Sequence, residues 1–147
     1  MENISSEKKS YLAGFLDGDG SIYVRLKPNP TYRFGFQMIA YVAFFQSEKH
    51  KKEFERVCEL IPYGTMRSRK DGILEYTISK QAEITEFLQE IKGYLVMKKP
   101  QAELALEVMK LKQDIQTKKD FENLMKKVNL FRELNYSKKR KIRHMNP

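Results

Sequence analysis

Two carboxylates, Asp17 and Asp19, stand among glycines in Gly14-Phe15-Leu16-Asp17-Gly18-Asp19-Gly20, just after Tyr11-Leu12-Ala13. Tyr11, Leu12, Phe15 and Leu16 recur at helical spacing, with Ser5 or Ser6 as a cap and Glu7 in the first turn. The spacing predicts a helix that stops at Gly18-Asp19-Gly20, because glycine tolerates the positive φ values at which helices often end. Asp17 and Asp19 then sit at a helix C-terminus, where the dipole makes a carboxylate unfavourable. Negative potential gathered there makes sense if it holds a divalent cation. Gly14 and Gly18 fall on one helical face, and each costs about 1 kcal/mol of helix stability relative to alanine. Close approach of a second helix would use the space they leave. A plain polar Asp-Gly turn is the simpler alternative for the same residues.

Other chemistries find little material. The two histidines, His50 and His144, are far apart and form no ligand motif. A lone Cys58 makes neither an internal disulfide nor a cysteine-based zinc site. No apolar run approaches the ~18 residues of a membrane span. Residues 1–10 are polar, unlike a signal peptide, so an intracellular chain is expected, in a prokaryotic cytoplasm or an organelle, with no membrane partner. The 147 residues suit one domain, and the net charge of +9 points to an anionic partner. That charge is uneven. Residues 101–147 hold twelve of the 28 Lys and Arg but only six of the 19 acids. We divide the chain into a domain, 1–136, and a basic tail, 137–147, in which Lys138, Lys139, Arg140 and Lys141 have no acidic neighbour.

The elements around the helix follow from periodicity. Residues 21–27 alternate, with Ile22, Val24 and Leu26 on one face and Ser21, Tyr23, Arg25 and Lys27 on the other. Pro28-Asn29-Pro30 turns the chain into a second strand, 32–45. Its inner face carries Met38, Ala40, Val42 and Phe44, and its outer face Gln37, Ile39, Tyr41, Ala43 and Phe45. Ser47 caps a helix with Phe54, Val57, Cys58 and Ile61 on its apolar side. In the hairpin 65–79, a loop Lys70-Asp71-Gly72 with Gly72 left-handed pairs Arg67 with Glu75 and Thr65 with Thr77, keeping both arginines off the apolar face. Helices follow over 79–92, after Pro100, and from Thr117 with Asp120. The fold class is α+β: an αββαββα order with a four-stranded antiparallel sheet and extra C-terminal helices.

The string Leu12-Ala13-Gly14-Phe15-Leu16-Asp17-Gly18-Asp19-Gly20 resembles the LAGLIDADG motif of homing endonucleases. The element order resembles that family too, as do the Lys27-Pro28-Asn29 turn, Gln46, Lys98 and the basic end. The resemblance implies a sequence-specific homing endonuclease of double-stranded DNA, active in intron homing. It implies a homodimer on a long pseudo-palindromic site, since the chain has one motif. Metal-assisted phosphodiester hydrolysis would use Mg2+, with Mn2+ or Ca2+ able to occupy the same site. By the same resemblance Asp19 and the Gly18 carbonyl match the metal position, and Gln46 and Lys98 match polar active-site residues. At His50 a close relative would offer arginine. The dimer seam would run through Tyr11, Leu12, Ala13, Gly14, Phe15, Asp17 and Gly18, with Asp17 structural. The sheet would form a saddle on DNA, presenting Ser21, Tyr23, Arg25, Lys27, Gln37, Ile39, Tyr41, Arg67, Arg69, Lys70, Glu75 and Thr77, with Asn29 and Tyr32 at the hairpin tip. An RNA-splicing maturase that binds intron RNA, or a non-cleaving DNA-binding regulator, is the alternative on the same scaffold. The presence of Asp19 favours cleavage.

Tail and sheet cations should behave differently on DNA. A mobile point charge follows a phosphate backbone, whereas an arginine on a strand can hold bidentate geometry on a base. Deleting residues 137–147 should weaken binding to all sequences alike, lowering the slope of log K against log salt by about 0.9 per lost phosphate contact. Arg69→Ala should instead relax base preference at one position per half-site, by about 1–3 kcal/mol. A salt series and a base-by-base specificity profile of each variant separate the two.

Overall fold

The computed structural model describes residue 1, residues 4–135 and residues 143–145. Its elements are α1 (Ser6–Asp19), β1 (Gly20–Pro28), β2 (Phe36–Ser47), α2 (Lys51–Cys58), β3 (Thr65–Ser68), β4 (Ile73–Ile78), α3 (Gln81–Ile91), α4 (Lys99–Gln113), α5 (Lys118–Asn129) and α6 (Phe131–Leu134). Short 3-10 turns cover Glu48–His50 and Lys92–Tyr94. The four strands form one antiparallel sheet in the order β1-β2-β4-β3. Ile22, Val24, Leu26, Val42, Phe44, Leu74 and Ile78 point from one face into a core shared with Leu12 and Leu16 of α1, Phe87 of α3, Val108 of α4 and Leu124 of α5. Among the described residues no helix is long and apolar enough to cross a membrane.

Local chemistry sets the boundaries. Ser5 caps α1, its side chain accepting from the Lys8 N–H, and Thr117 with Asp120 forms the capping box of α5. The 65–79 hairpin takes the expected register, with Thr65 opposite Thr77, Arg67 opposite Glu75 and Gly72 at φ +79°. The second strand starts at Phe36, later than the alternation suggests. The Asn29 side chain accepts from Thr31, and the Gly35 carbonyl accepts from the Asn29 N–H, so residues 29–35 close a compact loop. Phe34 and Phe36 then stack on Phe121 of α5, at 5.1 and 6.1 Å. Helix α3 likewise starts at Gln81 rather than Ser79.

Two expectations about the first helix need correction. Leu12 and Ala13 are fully buried inside their own protomer and face the core, so they do not belong to an outward seam. The glycines at its end are not left-handed. Gly20 is extended, at φ −124° and ψ −179°, and donates its N–H to the Leu16 carbonyl. Its value lies in close approach: a Cβ there would meet the Leu16 side chain at 2.4 Å, the Leu16 carbonyl oxygen at 2.9 Å and the Ala43 carbonyl oxygen at 3.0 Å. Helix and sheet therefore join without a spacer. Gly20→Ala should lower unfolding free energy by about 1–3 kcal/mol through overpacking. Urea denaturation checks this, and an unshifted midpoint would mean that the junction yields freely.

Candidate active site

The two motif carboxylates have different surroundings. Asp17 is half-buried and occupied. Its Oδ2 accepts from the Val96 N–H at 2.9 Å and its Oδ1 from the Lys98 N–H at 2.9 Å. The Asp17 backbone carbonyl accepts from Lys98 Nζ at 2.7 Å. Asp19, two residues on, is exposed and has no hydrogen bond or ion pair among the described residues. Helix ends leave their last carbonyls without intrahelical partners. Here Gly20 takes the Leu16 carbonyl and Lys98 takes that of Asp17, while Gly18 is exposed with Asp19.

Lys98 is the cation of this corner. Burial pushes its ammonium below the ordinary 10.5, while the charges of Asp17 and Asp19 pull it back up. The folded state holds that proton less tightly than the unfolded chain, so Lys98 contributes stability that rises with pH from its lowered value towards 10.5. Gln46 ends up at the same end of the sheet, because Gly20 pairs with Phe44 and Gln46 lies two residues beyond it on β2. Its Oε1 accepts from the Ser47 N–H at 3.1 Å. His50 is exposed, at the end of the 3-10 turn that leads into α2.

Outward from this corner runs the second face of the sheet. Register brings Ser21, Ala43, Thr77 and Thr65 into one row across all four strands. Phe45, Glu75 and Arg67 form another, and Tyr23–Tyr41, Arg25–Ile39 and Lys27–Gln37 line the β1–β2 half. Arg25, Lys27, Arg67, Arg69 and Lys70 are exposed; Tyr23 is buried under Tyr41, with ring centroids 4.6 Å apart. Asn29 is tied up in its own loop, and Tyr32 is exposed at the tip. Arg67 Nη2 bonds Glu75 Oε2 at 2.6 Å, and Arg69 Nη2 bonds Asp71 Oδ2 at 2.8 Å. Burial and the Glu75 charge raise the Tyr41 phenol above its ordinary 10.0, against the pull of Arg25. The tail cations Lys138, Lys139, Arg140 and Lys141 lie outside the described residues. Arg143, after them in sequence, has its N–H and carbonyl both bonded by the Asn129 side chain, at 3.0 and 2.8 Å.

Sequence reasoning missed the partners of two groups, Asp17 with the 96–98 backbone and Asn129 with Arg143, and it paired Arg67 with Glu75 across the hairpin without foreseeing their ion pair. The hairpin register already set Glu75 opposite Arg67, so that pair had a signal. The others join residues distant in sequence and had none.

A family model described as LAGLIDADG endonuclease matches residues 12–106. The chain belongs to the LAGLIDADG endonuclease family. DNA endonuclease I-CreI of Chlamydomonas reinhardtii is 32% identical over 99 residues, covering 67% of this chain and 60% of that protein. DNA endonuclease I-CvuI of Chlorella vulgaris is 29% identical over 103 residues, covering 70% of this chain and 64% of that protein. The chain therefore spans about 60% of the length of these curated relatives. The crystal structure of I-CvuI in complex with its target in the presence of 2 mM Ca matches with a TM-score of 0.85 at 26% identity, covering 92% of this chain and 87% of that one. I-CvuI with the I-CreI target in the presence of 2 mM Mg, its DNA not cleaved, gives the same TM-score at 25% identity, covering 92% and 86%. The LAGLIDADG fold is thus present from the motif helix to the C-terminal helices.

In this LAGLIDADG chain the motif acid that fastens the scaffold is Asp17. Asp17→Asn keeps the shape but turns one acceptor into a donor facing a backbone N–H. Leaving the half-buried Lys98 N–H unpaired should cost about 1–3 kcal/mol. Urea unfolding measures the loss, and faster amide exchange at Val96 and Lys98 would locate it.

Proposed function

We propose that the chain is a sequence-specific, divalent-metal-dependent endonuclease of double-stranded DNA that acts as a homodimer. The observation that carries this reading is the contrast between the two motif carboxylates. Asp17 has both oxygens engaged by backbone N–H groups, while Asp19 projects unpartnered beside Lys98 at the end of a polar, basic sheet face. A carboxylate left bare at a helix C-terminus is unfavourable in isolation. A cation and a phosphate would relieve it.

The donor set fits a hard cation. Asp19 and the Gly18 carbonyl offer oxygen only, which suits Mg2+, Mn2+ or Ca2+ over zinc. Among the described residues no group of three or more His, Cys, Asp or Glu could hold a metal, and Mg2+ is commonly bound through one or two carboxylates with water and phosphate filling the rest of its shell. Asp19 and Gly18 would hold the ion, and a second copy and the DNA phosphate would complete it. When bound, the metal activates water and stabilises the charge of the departing oxygen. Lys98, held through its Nζ on the Asp17 carbonyl, supplies fixed positive charge beside the phosphate. Gln46, fixed on its own backbone, offers its amide N–H groups to water or phosphate.

Pairing of two copies follows from α1. A Cβ at Gly14 or Gly18 would meet nothing within 4 Å in the protomer, so nothing inside the protomer requires glycine there. With Tyr11 they make an exposed stripe on a helix whose other side is core; Phe15 is half-buried at its edge, its ring 5.9 Å from that of Phe54. Two such helices in contact would bring both Asp19 carboxylates to one place. The sheet faces would then lie on DNA, with Arg25, Lys27, Arg67 and Arg69 towards base edges and phosphates.

Asp19→Asn should slow magnesium-dependent cutting by roughly 10³-fold or more while leaving target affinity within a few fold. Single-turnover cleavage and equilibrium binding on one DNA check both halves, and brisk cutting by the variant would remove Asp19 from the chemistry.

A further inference from the structure

The outer face of the sheet is not uniform across its strands. In the order β1-β2-β4-β3 the exposed cations stand on the two edge strands: Arg25 and Lys27 on β1 and Arg67 on β3, with Arg69 and Lys70 in the loop after it. The central strand β2 differs. Ile39, Tyr41 and Phe45 point to that same face, since Met38, Ala40, Val42 and Phe44 alternate with them and lie in the core beneath. All three are half-buried, and among the described residues none belongs to the core cluster or packs against it. Ala43, also on that face, is fully buried and out of reach. The open face of an antiparallel sheet is ordinarily polar, and an aliphatic side chain left there without a partner gains little from folding.

The layout matches a DNA major groove in width and polarity. Strands lie about 4.8 Å apart, so four of them span roughly 14 Å, against a groove about 12 Å wide. With the cationic edges at the phosphate walls, β2 faces the base edges between them. The apolar group presented there is the C5-methyl of thymine. Ile39 stands directly opposite Arg25 on β1, and Tyr41 is the next residue of β2 on the same face. The Tyr41 ring rests on the buried Tyr23 ring, with centroids 4.6 Å apart, which fixes it beside Ile39.

We propose that β2 reads thymine by its methyl group, Ile39 making the contact and the Tyr41 ring excluding water beside it. The proposal rests on the DNA-binding reading above and deepens it. Charge grips any sequence, whereas a methyl contact selects thymine over the other bases. One such contact, comparable to a buried CH2 group, should change affinity about three- to fivefold.

The test starts from a bound sequence, enriched by the unchanged protein from a randomised, near-palindromic duplex library without magnesium. Each thymine of one half-site is then replaced by uracil, which keeps every hydrogen-bonding group and lacks only the methyl. Fluorescence anisotropy measures affinity. The unchanged protein should lose about three- to fivefold at one or more positions. Ile39→Ser should bind the thymine and uracil duplexes alike at one of these and keep the preference at any other. Uracil tolerated at every position, or a preference that Ile39→Ser leaves intact throughout, would overturn the proposal. Should Ile39→Ser fail to fold by far-UV circular dichroism, Ile39→Val decides. Its shorter side chain should narrow the thymine preference at one position, and an unchanged preference at all of them overturns the contact. If no sequence is enriched, the DNA-binding reading fails and this contact with it. A sequence that is enriched and cut, yet tolerates uracil throughout, removes the methyl contact alone.

Discussion

Two backbone hydrogen bonds accepted by Asp17 hold the site together. They join the end of α1 to the segment entering α4, elements that the chain separates by the whole sheet and two helices. Through them Lys98 comes to lie over the last turn of α1, where its ammonium takes a helix carbonyl and sits beside Asp19. A helix C-terminus carries partial negative charge, and two aspartates there add to it. The Val96 and Lys98 N–H groups with the Lys98 ammonium offset that potential at Asp17. Asp19 has no hydrogen bond or ion pair of its own among the described residues and feels only the nearby Lys98 charge, which leaves its carboxylate available to a metal and phosphate under the proposed function.

One helix thus serves three purposes on three sides. Leu12, Ala13 and Leu16 anchor it in the core. Asp17 fixes the cationic segment. Gly14 and Gly18 leave a bare face, the one proposed to meet a second copy. The junction at Gly20 adds the sheet without slack, so the face carrying Arg25, Tyr41 and Arg67 has a set relation to Asp19. The Arg67–Glu75 pair illustrates the consequence. Held at 2.6 Å by a mostly buried carboxylate, the arginine approaches a partner with one edge already committed. That limits its rotamers, which under the proposed DNA-binding role would favour directional recognition over loose charge attraction.

Much of this was legible in sequence because it is local or periodic. The alternation of residues 21–27 assigned both sheet faces, and the need to keep Arg67 and Arg69 off the apolar face chose the hairpin register. The motif singled out Asp19 and the glycine stripe, all of which the structure leaves exposed. What could not be read depends on distant partners. The start of β2 at Phe36 is set by Phe34 and Phe36 stacking on Phe121. Leu12 and Ala13 turn inward because the core claims them. Gly20 looked like a left-handed helix stop, yet it is extended, and the Ala43 carbonyl across the sheet is part of the reason a side chain would not fit.

The central claim is that the exposed glycine face of α1 joins two copies and so brings two Asp19 carboxylates together. Sedimentation of Gly14→Leu beside the unchanged chain tests it most directly, because a side chain at that position meets nothing in its own protomer. The account predicts a monomer with unaltered helix content and no double-strand cleavage. A Gly14→Leu protein that dimerises as tightly as the unchanged chain and cuts both strands would contradict it.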